Sequence, residues 1–141
     1  MSDCFILLAA GKGKRFKSNT LKQFHILNGK PLINHSIEKA MKSKIFKEII
    51  IVTNSKMNKP KEKYIKIIKG GSERFESSKK ALAYIKNKKF KNVYIHDAAR
   101  PNFSIKLLQK LKKELVNNNA VIPYINTDHS AKYKNGSNLI N

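Results

Sequence analysis

The sequence has few of the features that mark secreted and membrane proteins. Its one cysteine, Cys4, cannot form a disulfide within these residues, and because it begins an apolar run we predict a packed core side chain, not a nucleophile. No apolar run approaches the roughly 18 residues that a membrane-spanning helix needs. The Ser2-Asp3 start, without a basic segment before an apolar stretch, argues against a signal peptide. We therefore expect a cytoplasmic protein without a membrane partner.

Linkers, internal repeats and low-complexity segments are also missing. The chain has 141 residues, of which 40% are hydrophobic. This length and composition suit one domain with its own core, since domains commonly have about 100–200 residues.

Acidic residues and arginine are scarce, whereas lysine is abundant, and the formal net charge is +21. Such charge is typical of nucleic-acid binding, because neutralised phosphates supply most non-specific affinity. The lysines, however, are spread through every predicted element, and aromatic residues do not alternate with them as a base-stacking surface requires. We interpret the lysines as surface composition and expect no specific nucleic-acid partner. A basic α/β nucleic-acid-binding module remains an alternative.

The sequence lacks the two best-known phosphate-binding motifs. After the apolar run Phe5–Leu8 comes A-A-G-K-G-K-R, which contains no Walker loop, and the dinucleotide motif G-x-G-x-x-G fails at Phe16. The remaining G-x-G-x-R still brings backbone N–H groups and cations to a strand end. Lys22 stands seven residues beyond Arg15, close enough for both to reach one phosphate. Alone, these residues fit a flexible turn with surface charges as well as a phosphate site.

Five short apolar runs predict buried parallel strands, because each is nearly continuous rather than alternating. They are Phe5–Leu8, Ile49–Val52, Tyr64–Ile68, Val93–Ile95 and Ala120–Ile122. Helical spacing is found in three series between or after them: Ile33, Ile37, Ala40 and Met41; Ser78, Ala81, Leu82 and Ile85; and Leu108, Leu111 and Leu115 behind Ser104 as N-cap. This alternation predicts an open, mostly parallel α/β sheet with helices on both faces, and a ligand crevice outside the carboxyl ends of the strands.

A glycine-rich segment, G-G-S-E-R-F-E-S-S at residues 70–78, follows the third run. Its amides and the hydroxyls of Ser72 and Ser77 could bind a base edge or an anion at a helix N-terminus. The alternative is an ordinary helix start, capped by Ser72 and favoured by the two glutamates near its positive end.

A carboxylate, Asp97, follows the fourth run, where it could bind a ribose hydroxyl or a divalent metal. The alternative is an ion pair with Arg100 that holds the loop. The small residues Ala98 and Ala99 favour the first interpretation, because they leave room for a ligand. We expect His96 to be packed structure rather than a catalyst.

Four motifs in this order, L-A-A-G-x-G-x-R, K-Q, G-G-x-x-R-x-x-S and H-D-A-A-R-P, resemble those of the 2-C-methyl-D-erythritol 4-phosphate cytidylyltransferases. The resemblance runs from Phe5 to about Lys132, and the last hexapeptide is its most diagnostic part. It implies a Rossmann-like fold of the nucleotide-diphospho-sugar-transferase kind. The polyol-phosphate cytidylyltransferases, which act on ribitol or glycerol phosphates, usually have valine where Ala99 stands and are the runner-up.

The resemblance implies an enzyme that transfers CMP from CTP to 2-C-methyl-D-erythritol 4-phosphate in non-mevalonate isoprenoid synthesis. Pyrophosphate is the second product, and Mg²⁺ is held mainly by the triphosphate rather than by protein ligands. By the same resemblance, Arg15 and Lys22 are the catalytic cations. The nucleotide-binding residues are Ala9, Ala10, Gly11, Gly13, Gly71, Ser72, Ser77 and Asp97, with Arg74 and Arg100 supporting the loops.

The sequence departs from this family at several places. Ser72 stands where an acidic residue is common, and the family's D-T-x-K appears as D-H-S-A-K, which leaves the roles of Asp128 and Lys132 open. Family members continue through a dimerisation arm and the last strands of the sheet, and some are fused to the next cyclase. We therefore expect residues 1–141 to form one CTP-binding domain without its C-terminal third. Residues 128–141 would begin the arm, in which Asn135-Gly136 predicts a β-hairpin.

Overall fold

The computed structural model describes residues 3–13, 20–58, 60–125, 133–135 and 138–140, the last two segments as backbone alone. The elements in chain order are β1 (Asp3–Leu8), a 3-10 helix (Lys22–Phe24), β2 (Ile26–Leu27), β3 (Lys30–Pro31), α1 (Leu32–Ser43), β4 (Phe46–Thr53), β5 (Ile65–Lys69), α2 (Arg74–Ile85), β6 (Asn92–Asp97), α3 (Ile105–Glu114), β7 (Tyr133–Asn135) and β8 (Asn138–Ile140). The predicted alternation of strands and helices is confirmed.

The central sheet has four parallel strands in the order β5-β4-β1-β6. Every residue of β1 is buried, because the strand has a neighbour on each side and helices above and below it. From β1 the chain moves outward through β4 to β5, and then returns across β1 to β6. This reversal opens a crevice at the carboxyl ends of β1 and β6.

Helices cover both faces of this sheet, as the sequence predicts. Successive side chains of β1 point to opposite faces, so Phe5 and Leu7 pack with residues of α1 and α3, while Cys4, Ile6 and Leu8 pack with residues of α2. Cys4 is fully buried, and burial raises the pKa of its thiol to about 12. The prediction of a packed cysteine is therefore confirmed.

The helix starts differ in part from those predicted. Ser104 caps α3, since its hydroxyl accepts from the Leu107 N–H at 3.0 Å. The N-cap of α2, however, is Glu73 and not Ser72. The buried face of α2 includes Ala81 and Ile85 of the predicted series, but Ser77 is buried there in place of Ser78.

In α2 the buried residues are Ser77, Ala81 and Ile85, spaced i, i+4, i+8, whereas Leu82 is 43% exposed. Helical spacing leaves two neighbouring stripes that could face the sheet. Packing against the sheet selects the stripe of smaller residues, so the prediction that Leu82 is a core residue is wrong.

The strand predicted at Ala120–Ile122 is absent from the described residues, where this segment is irregular and Ile122 is 84% exposed. An extended run becomes a strand only when a neighbouring strand takes its hydrogen bonds, and the following Pro123 has no N–H to offer. The strands β5 and β6 exist but are not buried on both faces. They lie at the edges of the described sheet, so Val93 and Ile95 are each more than a third exposed.

The predicted hairpin near the end of the sequence is confirmed, since β7 and β8 pair antiparallel with Tyr133 opposite Ile140. Among the described residues, none of the helices combines the length and the apolar character needed to cross a bilayer.

Candidate functional site

A pocket of about 300 Å³ opens at the carboxyl ends of β1 and β6. The predicted site residues in its wall are Ala9, Ala10, Gly11, Gly13, Lys22, Gly71, Ser72, Arg74, Ser77, Asp97 and Arg100. Of the residues that the sequence singled out for binding or catalysis, Arg15 alone is missing from this set, because it lies outside the described residues. Motifs from Ala9 to Arg100 thus meet at one place, while the role of each residue stays a prediction.

The first glycine loop, residues 9–13, leaves the end of β1. The Ala9 N–H donates to the Val52 carbonyl at 2.8 Å, and the Ala98 N–H donates to the Leu8 carbonyl at 2.9 Å. These bonds extend the ladders of the sheet up to the point where the loop begins. Gly13 adopts a φ of 59°, a left-handed conformation in which glycine has no steric cost.

The second glycine loop, residues 70–73, is fastened from both of its flanks. The Gly71 N–H donates to the Ser77 hydroxyl at 3.0 Å, and the Gly71 carbonyl accepts from the Asn54 side-chain amide at 3.0 Å. Lys80 donates to the Gly70 carbonyl at 2.8 Å. The Ser77 side chain is therefore part of the loop's structure as well as of the pocket wall.

Glu76 holds the same loop from the first turn of α2. Its carboxylate accepts from the N–H and the hydroxyl of Ser72, both at 2.7 Å, and from the Glu73 N–H at 3.4 Å. The bond from the Ser72 hydroxyl, together with those from the backbone amides, lowers the pKa of the Glu76 carboxyl. Ser72 is thus held beside the helix start but does not cap it.

The two glycine loops touch at Gly70. A Cβ atom at this position would lie 2.3 Å from the Ala10 Cβ and 2.9 Å from the Ser77 hydroxyl oxygen. Real side chains do not approach so closely, so a residue larger than glycine would force the loops apart. The pocket between them depends on this contact.

The Asp97 carboxylate is held by two arginines. Its Oδ1 accepts from Arg74 Nε at 2.9 Å, and its Oδ2 pairs with Arg100 Nε at 3.4 Å. The Arg100 pair is the alternative that the sequence raised. The Arg74 pair joins the first residue of α2, directly after the second glycine loop, to the end of β6. Both arginine side chains are about two-thirds exposed or more. Ion pairs of this exposure stabilise a fold little, so their effect is mainly on position.

His96 is packed as structure, as expected. Its Nε2 lies 2.8 Å from the Arg100 carbonyl, and its ring meets the Phe103 ring edge-on with centroids 4.7 Å apart. Desolvation by burial is the largest cause that lowers the pKa of the imidazole. The histidine thereby anchors the loop that carries Asp97 and Arg100.

The His96 imidazole makes stability depend on pH. The pKa of this imidazole is lower in the folded than in the unfolded state, so the unfolded chain binds more protons there. The neutral imidazole therefore contributes its full stability above the unfolded pKa of about 6.5. This contribution is lost as the pH falls through the lower folded pKa. We expect the melting temperature to fall between about pH 7.5 and about pH 5.5, and to fall less in the His96→Gln variant. Thermal melts of both proteins across this range check it, and identical pH dependence would contradict it.

Sequence reasoning missed several residues that shape the pocket. Gln23 is 4% exposed and its side chain bonds the first glycine loop, although the sequence showed it only as part of the K-Q pair. Asn54 follows the end of β4, so the same strand-end rule that selected Asp97 could have found it. Lys80 could not be told from other surface lysines, because its partner lies ten residues away.

No cluster of three or more histidine, cysteine, aspartate or glutamate side chains able to hold a metal occurs within the described parts of the chain. The described wall of the pocket carries the cations Lys22, Arg74 and Arg100 and the carboxylates Glu73 and Asp97. This donor set suits a phosphate-bearing ligand better than a metal bound by protein alone.

The parallel sheet, its reversal of strand order and the paired glycine loops define a Rossmann-like α/β domain. The fold is similar to that of the Francisella tularensis 2-C-methyl-D-erythritol 4-phosphate cytidylyltransferase, with a TM-score of 0.73 and 26% identity over 99% of this chain and 64% of that one. It is also similar to the bifunctional IspDF of Campylobacter jejuni, with a TM-score of 0.69 and 33% identity over 82% of this chain and 31% of that one.

Residues 4–141 match the model of the family described as IspD, 2-C-methyl-D-erythritol 4-phosphate cytidylyltransferase, and the chain belongs to this family. It is 50% identical to the bifunctional enzyme IspD/IspF of Pelagibacter ubique over its whole length, and spans 39% of that protein. It is 36% identical to the 2-C-methyl-D-erythritol 4-phosphate cytidylyltransferase of Caldicellulosiruptor bescii, over 94% of this chain and 62% of the relative. The chain therefore covers less than two-thirds of these relatives.

Proposed function

We propose that this chain carries the CTP-binding part of an enzyme that transfers CMP from CTP to 2-C-methyl-D-erythritol 4-phosphate. The observation that carries the proposal is the meeting of both glycine loops, Lys22 and Asp97 around one pocket in a member of this family. The Caldicellulosiruptor bescii relative and the family itself are named for this cytidylyl transfer. Because the chain spans only part of their length, the complete reaction is proposed for the whole enzyme.

The reaction requires that the two substrates are positioned and that the charge of their phosphates is neutralised. An oxygen of the acceptor phosphate attacks the α-phosphorus of CTP, a new P–O bond forms, and the bond to the β-phosphate oxygen breaks to release pyrophosphate. Backbone N–H groups of the first glycine loop receive the triphosphate, and Lys22, with Arg15, stabilises the charge that grows on the α-phosphate oxygens. The role of Lys22 is supported by its place in the pocket wall.

The second glycine loop and Asp97 recognise the nucleoside in this proposal. Ser72, Ser77 and the backbone of Gly71 contact cytosine, and Asp97 binds a ribose hydroxyl or the acceptor polyol. The bonds that fasten this loop support the assignment, since a rigid polar edge discriminates bases better than a mobile one. Arg74 and Arg100 aim the Asp97 carboxylate.

Magnesium is the proposed cofactor, and when bound it supplies positive charge to the phosphate oxygens. The pocket fits this use, because Asp97 already pairs with two arginines and no larger carboxylate cluster occurs in the described part of the chain. Mg²⁺ commonly binds through substrate phosphates with few protein ligands.

We also place the reaction in the cytoplasm, in keeping with a sequence whose one cysteine cannot form a disulfide within these residues. The hairpin formed by β7 and β8 is proposed as part of the arm through which the longer protein dimerises.

The proposal is tested by measuring pyrophosphate release from CTP and Mg²⁺ with 2-C-methyl-D-erythritol 4-phosphate, beside ribitol 5-phosphate and a sample without acceptor. The complete gene product and the 141-residue chain are assayed in parallel. We expect release that depends on the methylerythritol phosphate. Equal or faster release with ribitol 5-phosphate would replace the proposal by the polyol-phosphate alternative.

A further inference from the structure

The Gln23 side chain joins the first glycine loop to the turn that carries Lys22. Its Nε2 donates to the Ala9 carbonyl at 2.7 Å and to the Gly11 carbonyl at 3.2 Å. The side chain is 4% exposed. A buried amide that uses its donors on two carbonyls of one loop is held there, because leaving either group without a partner is costly.

The short 3-10 helix explains why this side chain points into the loop. With three residues per turn, successive side chains leave the axis about 120° apart. Lys22 faces the pocket, Gln23 faces the first glycine loop, and Phe24 packs against the core beneath α1. The core contact of Phe24 therefore fixes the direction of its two neighbours.

The two bonds also decide where the loop's N–H groups point. In a planar trans peptide the carbonyl of one residue and the N–H of the next point in opposite directions. Drawing the carbonyls of Ala9 and Gly11 toward Gln23 therefore turns the N–H groups of Ala10 and Lys12 to the other side of the loop. N–H groups turned out of a loop in this way are what an anion accepts from.

We propose that Gln23 is a positioning residue, which holds the first glycine loop in its triphosphate-receiving shape and sets Lys22 in register with it. This inference rests on the proposed function for the identity of the ligand. The hold on the loop itself rests only on the two hydrogen bonds and the burial of the side chain.

Two variants separate the donors of Gln23 from its bulk. Gln23→Met keeps the length of the side chain and removes its donors. Gln23→Glu keeps the shape of the side chain and places a carboxylate against two carbonyl oxygens. This surrounding favours the protonated carboxylic acid, whose O–H can again donate to a carbonyl. The matched control is Ile33→Val, a small truncation of a side chain that is equally buried but lies away from the pocket.

The experiment measures hydrogen–deuterium exchange of residues 9–13 and CTP affinity by calorimetry for the full chain and each variant. We expect faster exchange of this segment in both Gln23 variants and CTP affinity lowered about tenfold in Gln23→Met. The CTP affinity of Gln23→Glu, relative to that of the unchanged protein at the same pH, should recover as the pH is lowered from about 8 to about 6 and the carboxylate takes up a proton. The Ile33→Val variant should change neither quantity.

Unchanged exchange and affinity in both Gln23 variants would overturn the inference, as would equal losses in Ile33→Val, which would reveal a general loss of stability. If the unchanged chain binds no CTP, the proposed function fails. The exchange of residues 9–13 then still decides whether Gln23 holds the loop.

Discussion

Replacing Lys22 by glutamine is expected to lower kcat/KM for cytidylyl transfer by about 10²- to 10³-fold. An effect of this size is typical when one preorganised donor to a developing negative charge is removed. Lys22 is exposed and stands in the pocket wall, so the substitution should leave the melting temperature nearly unchanged. Steady-state pyrophosphate release by the complete enzyme, with thermal melts of the same samples, measures both quantities.

The control for this prediction is Lys113→Gln, which removes the same charge from the last turn of α3. It should leave turnover unchanged, because an exposed lysine away from the pocket acts only through screened, long-range charge. Equal activity of the Lys22→Gln enzyme and the unchanged enzyme would show that the lysine is one more surface residue of this basic chain.

Replacing Asp97 by asparagine is expected to lower CTP affinity or turnover by about 10- to 100-fold. The substitution removes the charge that pairs with Arg74 and Arg100, and it weakens any hydrogen bond to a ribose or acceptor hydroxyl. Hydrogen bonds to charged groups commonly contribute about 1.5–3 kcal/mol. Stability should change by less than about 1 kcal/mol, since the arginines are exposed. Calorimetric titration with CTP, coupled to the release assay, separates an effect on binding from one on turnover.

The chain offers a matched ion pair for comparison. Glu48 pairs with Lys88 at 2.7 Å, and neither residue is in the pocket wall. The Glu48→Gln variant should therefore lose some stability but keep its affinity for CTP. If Asp97→Asn and Glu48→Gln behave alike, the Asp97 cluster is structural and has no part in binding.

The sequence predicts the parts of this molecule that follow from local pattern. The continuous apolar run of β1 can be satisfied only at the centre of a sheet, and parallel strands end at one edge, which is why Gly11, Gly71 and Asp97 could be expected to meet. Their meeting is confirmed by the pocket. The positions of the motifs were therefore more informative than the composition, in which Lys22 of the pocket wall cannot be told from the many other lysines.

Features that depend on which residue a side chain contacts could not be predicted from the sequence. Gln23 bonds a loop 12 to 14 residues earlier, and Asn54 bonds a carbonyl 17 residues later, so neither contact has a local signature. The run at Ala120–Ile122 has strand composition but no paired neighbour among the described residues. Leu82 has the helical spacing of a core residue, but the face of α2 that packs against the sheet does not include it.

The most direct test of the central claim is a calorimetric titration of the 141-residue chain with CTP, UTP, ATP and GTP, each with Mg²⁺ at physiological salt. We expect CTP to bind at least about tenfold more tightly than the other three, because a fixed polar loop that hydrogen-bonds one base leaves buried groups unpaired against another. Equal affinity for all four nucleotides would contradict the assignment of a cytidine-specific pocket. It would leave the glycine loops and Lys22 as a general site for triphosphate.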